Sequence, residues 1–97
     1  MWVGTIEFDL LLGDVHTLKE KRAFVRPLVA DLRRTFEVAV AETGEQDLYR
    51  RAAIGVAVVA GENGHVIEVL DRVEQFVAGR PEVELLSAHR AFFNTDD

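Results

Sequence analysis

Twice within 97 residues, the spacing of apolar side chains switches from every second residue to every third and fourth and back. From Trp2 to Leu12 the residues alternate. Trp2, Gly4, Ile6, Phe8 and Leu10 share one face, and Val3, Thr5, Glu7 and Asp9 share the other. Period two with one apolar face predicts a half-buried strand. Gly13-Asp14 supplies a turn. The spacing then becomes helical from Leu18 to Phe36, with Leu18, Val25, Leu28, Val29, Leu32 and Phe36 on one side. Pro27 interrupts that helix by removing the bond to the carbonyl of Ala23. The apolar stripe keeps its phase across it, so a kink is expected rather than a break.

Val38 to Glu42 reads as a short strand, Thr43 to Asp47 as a connection, and Ala52 to Ala60 as a second apolar strand. Gly61-Glu62-Asn63-Gly64 is a turn with Asn63 as the expected cap of a helix from about His65 to Ala78. Val66, Val69, Leu70, Val73, Phe76 and Val77 form the buried face of this helix. Gly79 stands where a left-handed terminal residue is expected, and Pro81 blocks continuation. Val83 to about Phe92 is the last strand, and 94–97 reads as a frayed polar tail.

Strand-helix-strand-strand-helix-strand is the order of the ferredoxin-like β-α-β-β-α-β split fold, of the α+β class. It implies a four-stranded antiparallel sheet with two helices on one face and strands one and three in the centre. Residues 1–97 are expected to form a single domain with its ordered core at about 2–93. The loop into the first helix, the connection between strands two and three, and the turn into strand four should then meet at one end.

Composition excludes several chemistries. The absence of cysteine removes disulfides, thiolate catalysis and thiolate-bound zinc. A net charge of −6 argues against a surface coated for nucleic acid, although a local basic patch is compatible with it. No apolar run nears the roughly 20 residues of a membrane helix, so a cytoplasmic location is expected.

The densest signal is Thr17-Leu18-Lys19-Glu20-Lys21-Arg22. Thr17 can cap the helix, and Glu20 can reach back to the N–H of Thr17, which makes a capping box. The shared end then collects Lys19, Lys21, Arg22, Arg26, Arg50, Arg51 and Arg80, seven of the eleven bases. Lys19, Arg22, Arg26 and Arg33 fall within about 60° of arc on the helix, a fair footprint for a phosphate backbone. Asp14, Glu20, Glu45, Asp47 and Glu82 are expected at the same end and can neutralise them. A solvated, salt-bridged helix face is the competing reading.

The open sheet face should show Ala53, Gly55, Ala57 and Val59, with Thr5, Glu7 and Asp9 beside them. It lacks the central aromatics of an RNA recognition motif. Small apolar residues there suit packing against a second sheet, as in a homodimer that could bind a small ligand at its interface. His16, His65 and His89 share no ligand spacing, so no metal is expected. Glu7 and Asp9 read as solvated, Ser87 is a lone serine without a base, and Gly61-Glu62-Asn63-Gly64 lacks the Lys of a P-loop. No enzyme and no cofactor are expected.

The Thr-Leu-Lys-Glu-Lys-Arg block after the first strand resembles the YlxP-like family, domain-of-unknown-function family 503. The resemblance continues through Val40-Ala41-Glu42, Gln46-Asp47-Leu48, Ala52 to Val59, and His65-Val66 through Leu70-Asp71-Arg72-Val73. It implies a ferredoxin-like fold and a bacterial setting among genes for transcription termination, translation initiation and ribosome maturation. It implies no catalytic residues. Gln46, Asp47 and Leu48 are candidate interaction-loop residues beside the Lys-Glu-Lys-Arg turn. The expectation is a non-enzymatic protein acting around RNA or a ribosomal particle through Lys19, Lys21, Arg22, Arg26, Arg50 and Arg51. The alternative is a homodimeric module using the open sheet.

Overall fold

In the computed structural model, which describes residues 1–96, six elements follow in order. They are β1 (Trp2–Leu12), α1 (Leu18–Phe36), β2 (Ala39–Gly44), β3 (Arg51–Ala60), α2 (Asn63–Ala78) and β4 (Val83–Asn94). The sheet order is β2-β3-β1-β4 and all three pairings are antiparallel, the ferredoxin-like arrangement expected from the sequence.

Alternation decides which side of the sheet is wet. Gly4, Ile6, Phe8, Leu10 and Leu12 of β1 are buried, as are Ala52, Ile54 and Val56 of β3. Val25, Leu28 and Leu32 of α1 and Val66, Leu70, Val73 and Val77 of α2 pack onto them. Gly4 is required by the closeness of α2. A Cβ there would overlap Cγ1 of Val66 and come within 3.2 Å of Leu70 Cδ1.

Several local expectations change. Thr17 caps α1 by accepting from the Glu20 N–H at 3.1 Å. The Glu20 carboxylate, however, accepts from the Thr17 hydroxyl at 3.4 Å rather than from its backbone, so only half of the capping box forms. Leu18 is exposed, and Lys21 takes the inward position in its place. Pro27 does not break α1, as expected, and it is exposed together with Ala23, so the carbonyl freed by the ring can be hydrated.

Asn63 lies inside the first turn of α2 and is not its cap. The extended residue is Glu62, which makes no side-chain capping bond. Gly79 is right-handed (φ −81°), and the left-handed positions are Glu37 and Glu45 (φ 54° and 61°). β4 runs to Asn94, and the next two residues are tied to the N-terminus. Thr95 donates to the Met1 carbonyl from its N–H (2.9 Å) and its hydroxyl (3.1 Å), and Asp96 pairs with the terminal ammonium at 2.8 Å. Asp97, the last residue of the expected tail, lies outside the described residues.

Three loops do converge at one end. Leu12 N–H bonds the Arg50 carbonyl at 2.8 Å, and Gly13 N–H bonds the Glu82 carbonyl at 3.1 Å. The helices meet near their C-terminal ends, where Phe76 lies edge-on to Phe36 with centroids 5.5 Å apart.

Candidate functional site

Lys21 organises the basic end from inside. It is 2% exposed, and its ammonium donates to the Glu45 carbonyl at 2.5 Å and the Leu48 carbonyl at 2.7 Å. The Glu42 carboxylate completes the shell at 3.1 Å. One helix residue thereby closes the β2–β3 connection against α1. Lys21 is lost to any external phosphate, so it leaves the set of contact residues and becomes the pin of the loop. A charge between two helical polar residues carries no sequence mark that it points inward.

The other charges of α1 point outward. Lys19, Arg22 and Arg26 are exposed and line one groove of about 460 Å³ with Ala23 and Pro27. Among the described residues, none of the three makes an ion pair within 4 Å or a side-chain hydrogen bond, whereas the other eight Lys and Arg all do one or both. The acids expected to neutralise the three do not reach them. Glu20 bonds Thr17, and Asp14 bonds His16 at 3.0 Å. Arg33 leaves the expected stripe, because its guanidinium donates to the Val40 carbonyl at 2.6 Å.

Arg50 and Arg51 part company. Arg50 is exposed near the loops, with its Nε 3.4 Å from the Leu12 carbonyl. Arg51 opens β3 and shares the parity of Ala53 and Gly55, so it lies on the open sheet face. There it pairs with Asp9 at 2.5 Å. The hydrogen bond that the Arg51 guanidinium donates to Asp9 holds it above its usual pKa, against some loss of hydration. Asp9 is therefore paired rather than merely solvated.

Arg80 also departs from the basic end. It lies 4.9 Å over the Phe76 ring and 2.7 Å from Asp31, thirteen residues along α1, or roughly 20 Å from its start. The hydrogen bond from Arg80, aided by Arg34, holds the Asp31 carboxyl below its usual pKa. On the helix side of β4, burial works against the charge of Arg90. Hydrogen bonds to Asp71 and Glu74 outweigh it and raise its pKa.

Gln46, Asp47 and Leu48 are all exposed. The loop is fixed through the backbone carbonyls of Glu45 and Leu48. The Gln46 and Asp47 side chains make no hydrogen bond among the described residues. Gln46 shares a cleft of about 150 Å³ with Leu18 and Arg22, which places the loop beside the cationic groove. Tyr49, 43% exposed in this loop, is an aromatic that the sequence reading passed over. Two large apolar residues together, Leu48-Tyr49, in a polar connection were the available signal.

On the open face, Glu7 of β1 accepts from the Thr43 hydroxyl at 2.6 Å, reaching across β3. The bond passes over Gly55, where a Cβ would stand 2.6 Å from Thr43 Cγ2. His89 is the cross-strand partner of Glu7 on the other side. His16, His65 and His89 lie on separate elements, and no group of three or more His, Asp or Glu is placed to hold a metal among the described residues. Among the described residues, no helix is long and apolar enough to cross a membrane.

Comparison with known proteins agrees with this architecture. The family model described as "Protein of unknown function (DUF503)" matches residues 3–90. The uncharacterized protein YlxP of Bacillus subtilis (strain 168) is 32% identical over 82 residues, covering 84% of this chain and 89% of that protein. A de novo designed protein with ferredoxin fold superposes with a TM-score of 0.55 at 12% identity, over 97% of this chain and 87% of its own. A putative chlorite dismutase superposes with a TM-score of 0.54 at 12% identity, over 99% of this chain and 46% of its own. The two structural likenesses are of fold alone.

Proposed function

The chain belongs to the DUF503 family of proteins of unknown function, and from that premise we propose that it is a non-enzymatic protein that contacts RNA or a ribosomal particle. The contact surface is the α1 groove of Lys19, Arg22 and Arg26, with Gln46 beside it and Arg50 exposed farther along the same loop. One observation carries this reading. In a chain of net charge −6, three of the eleven Lys and Arg lack a protein partner among the described residues, and all three stand in one row.

Two physical points support it. Cations in the first turns of a helix oppose its dipole, which makes unpaired Lys19 and Arg22 mildly unfavourable where they stand. Ala23 and Pro27 between them are short, so a phosphate backbone can approach without displacing a bulky side chain. The gene setting implied by the family resemblance points the same way. Lys21 and Arg51, engaged with Glu42 and Asp9, are left out of the contact set.

The test is a salt titration of binding to structured RNA. Three neutralised phosphates give a slope of roughly −2 to −3 in log K against log salt. Reversing Lys19, Arg22 and Arg26 to Glu is expected to abolish binding. Binding undetectable at low ionic strength, or unchanged by the reversal, overturns the proposal.

A further inference from the structure

The sheet face turned away from α1 and α2 divides along its length into a trough and a ridge. Over β2 and β3 the trough is floored by Ala39, Ala41, Gly55 and Ala57, part of a groove of about 470 Å³. Thr5 and Glu7 of β1 edge this groove, and beyond them β1 and β4 carry the larger Val3, His89 and Phe93 with Ala91 and Ser87 among them. The two halves are in register, with Thr5 beside Ala57 and Val3 between Val59 and Phe93. At one end of this face Val59 and Phe93 are 60% and 55% exposed.

We propose that a second copy of this chain covers this face, sheet against sheet, about a two-fold axis parallel to the strands and midway between β3 and β1. That operation lays β1 of each copy over β3 of the other, and β4 over β2. Thr5 then faces the Ala57 of the second copy, and His89 faces its Ala41. The Val59 ends lie together. Over the middle of the sheet the larger residues meet small ones reciprocally, while at one end Val3 meets Val59, and the strands stay within the aligned range for packed sheets.

Charge opposes this burial only in part. Asp9 is paired with Arg51, whereas Glu7 has the neutral Thr43 hydroxyl as its partner and keeps its charge at the interface. The area is also sufficient. Strands about 4.8 Å apart, three with about ten rises of 3.3 Å and the six-residue β2 with five, make a face of roughly 550 Å². Before side-chain relief is added this is close to the roughly 600 Å² per partner at the low end of specific interfaces. Val3 and Val59 would cease to face water, each covered by the other residue of the second copy.

The inference stands apart from the cationic groove, which lies on α1 on the other side of the sheet. Its test is the molar mass by sedimentation equilibrium over a series reaching ~1 mM, where the expected mass is twice 10.9 kDa. Ala57→Arg sets a guanidinium on the trough floor and is expected to give the mass of one chain with an unchanged circular dichroism spectrum. Val59→Glu does the same at the apolar end and decides the matter where Ala57→Arg does not fold. The Lys19, Arg22 and Arg26 reversal is expected to leave the double mass intact. A mass of 10.9 kDa throughout overturns the proposal and leaves the groove to some other occupant. A double mass that survives in the folded sheet variants places the interface elsewhere and overturns it equally.

Discussion

Replacing Lys21 with Met keeps the length and packing of the side chain and removes its charge and donors. The Glu45 and Leu48 carbonyls each lose a charge-assisted bond, worth about 1.5 kcal/mol apiece at the lower end of the usual range. Glu42 loses its partner, but its side chain is 26% exposed and water can take over, so that contribution is about 1 kcal/mol or less. The sum is ~3–4 kcal/mol, a large share of the ~5–15 kcal/mol that holds a domain of this size together. Urea denaturation followed by circular dichroism measures it, and Tm should fall by roughly 12–30 °C. Hydrogen exchange should show the loop amides, Leu48 among them, losing protection. Lys19→Met, on the exposed face, should stay within about 0.5 kcal/mol of wild type. A loss below about 1 kcal/mol for Lys21→Met would refute the claim that Lys21 closes the loop.

Three further outcomes follow from named contacts. Gly4→Ala forces a methyl group against Val66 and should cost roughly 1–3 kcal/mol in urea denaturation; Val66→Ala added to it should recover part of that loss. Gly55→Ala displaces Thr43 from Glu7 and should cost ~1 kcal/mol, with no additional loss when Thr43→Ala is combined with it. Asp31→Asn removes a carboxyl whose folded pKa lies below its ordinary value of 3.8. Its stabilising contribution is full above that ordinary value and disappears as pH falls through the folded pKa. The variant should therefore be less stable than wild type at neutral pH, and the gap should close in acid. A gap that does not vary with pH would show that the Arg80 pairing is not its source.

The fold was legible because two signals agreed. The parity of Trp2 to Leu12 and the stripe from Val25 to Leu32 specify their elements, and right-handed crossovers leave one strand order. Parity was also enough to put Arg51 on the open sheet once its strand began one residue earlier than expected. The internal state of the charges was not legible. Lys21 and Lys19 are two residues apart in the same block, yet one is buried under a loop and the other stands in water. That difference depends on where the Glu45 and Leu48 carbonyls arrive, which is a tertiary fact. The helices end at Phe36 and Ala78 as expected, but the residues that close and cap them were not legible for a related reason. The left-handed residues Glu37 and Glu45 lack the glycine that announces such a turn, while Gly79 is right-handed. Arg80 was assigned to the basic end by topology, but its ring contact with Phe76 and its pair with Asp31 turn it back along α1.

Co-sedimentation with ribosomal particles at low ionic strength tests the central claim most directly, comparing the wild-type chain with the variant that reverses Lys19, Arg22 and Arg26 to Glu. The account predicts that the wild type sediments with the particles and that the variant stays in the supernatant with its fold and oligomeric state unchanged. Equal sedimentation of both proteins, or of neither, would contradict it.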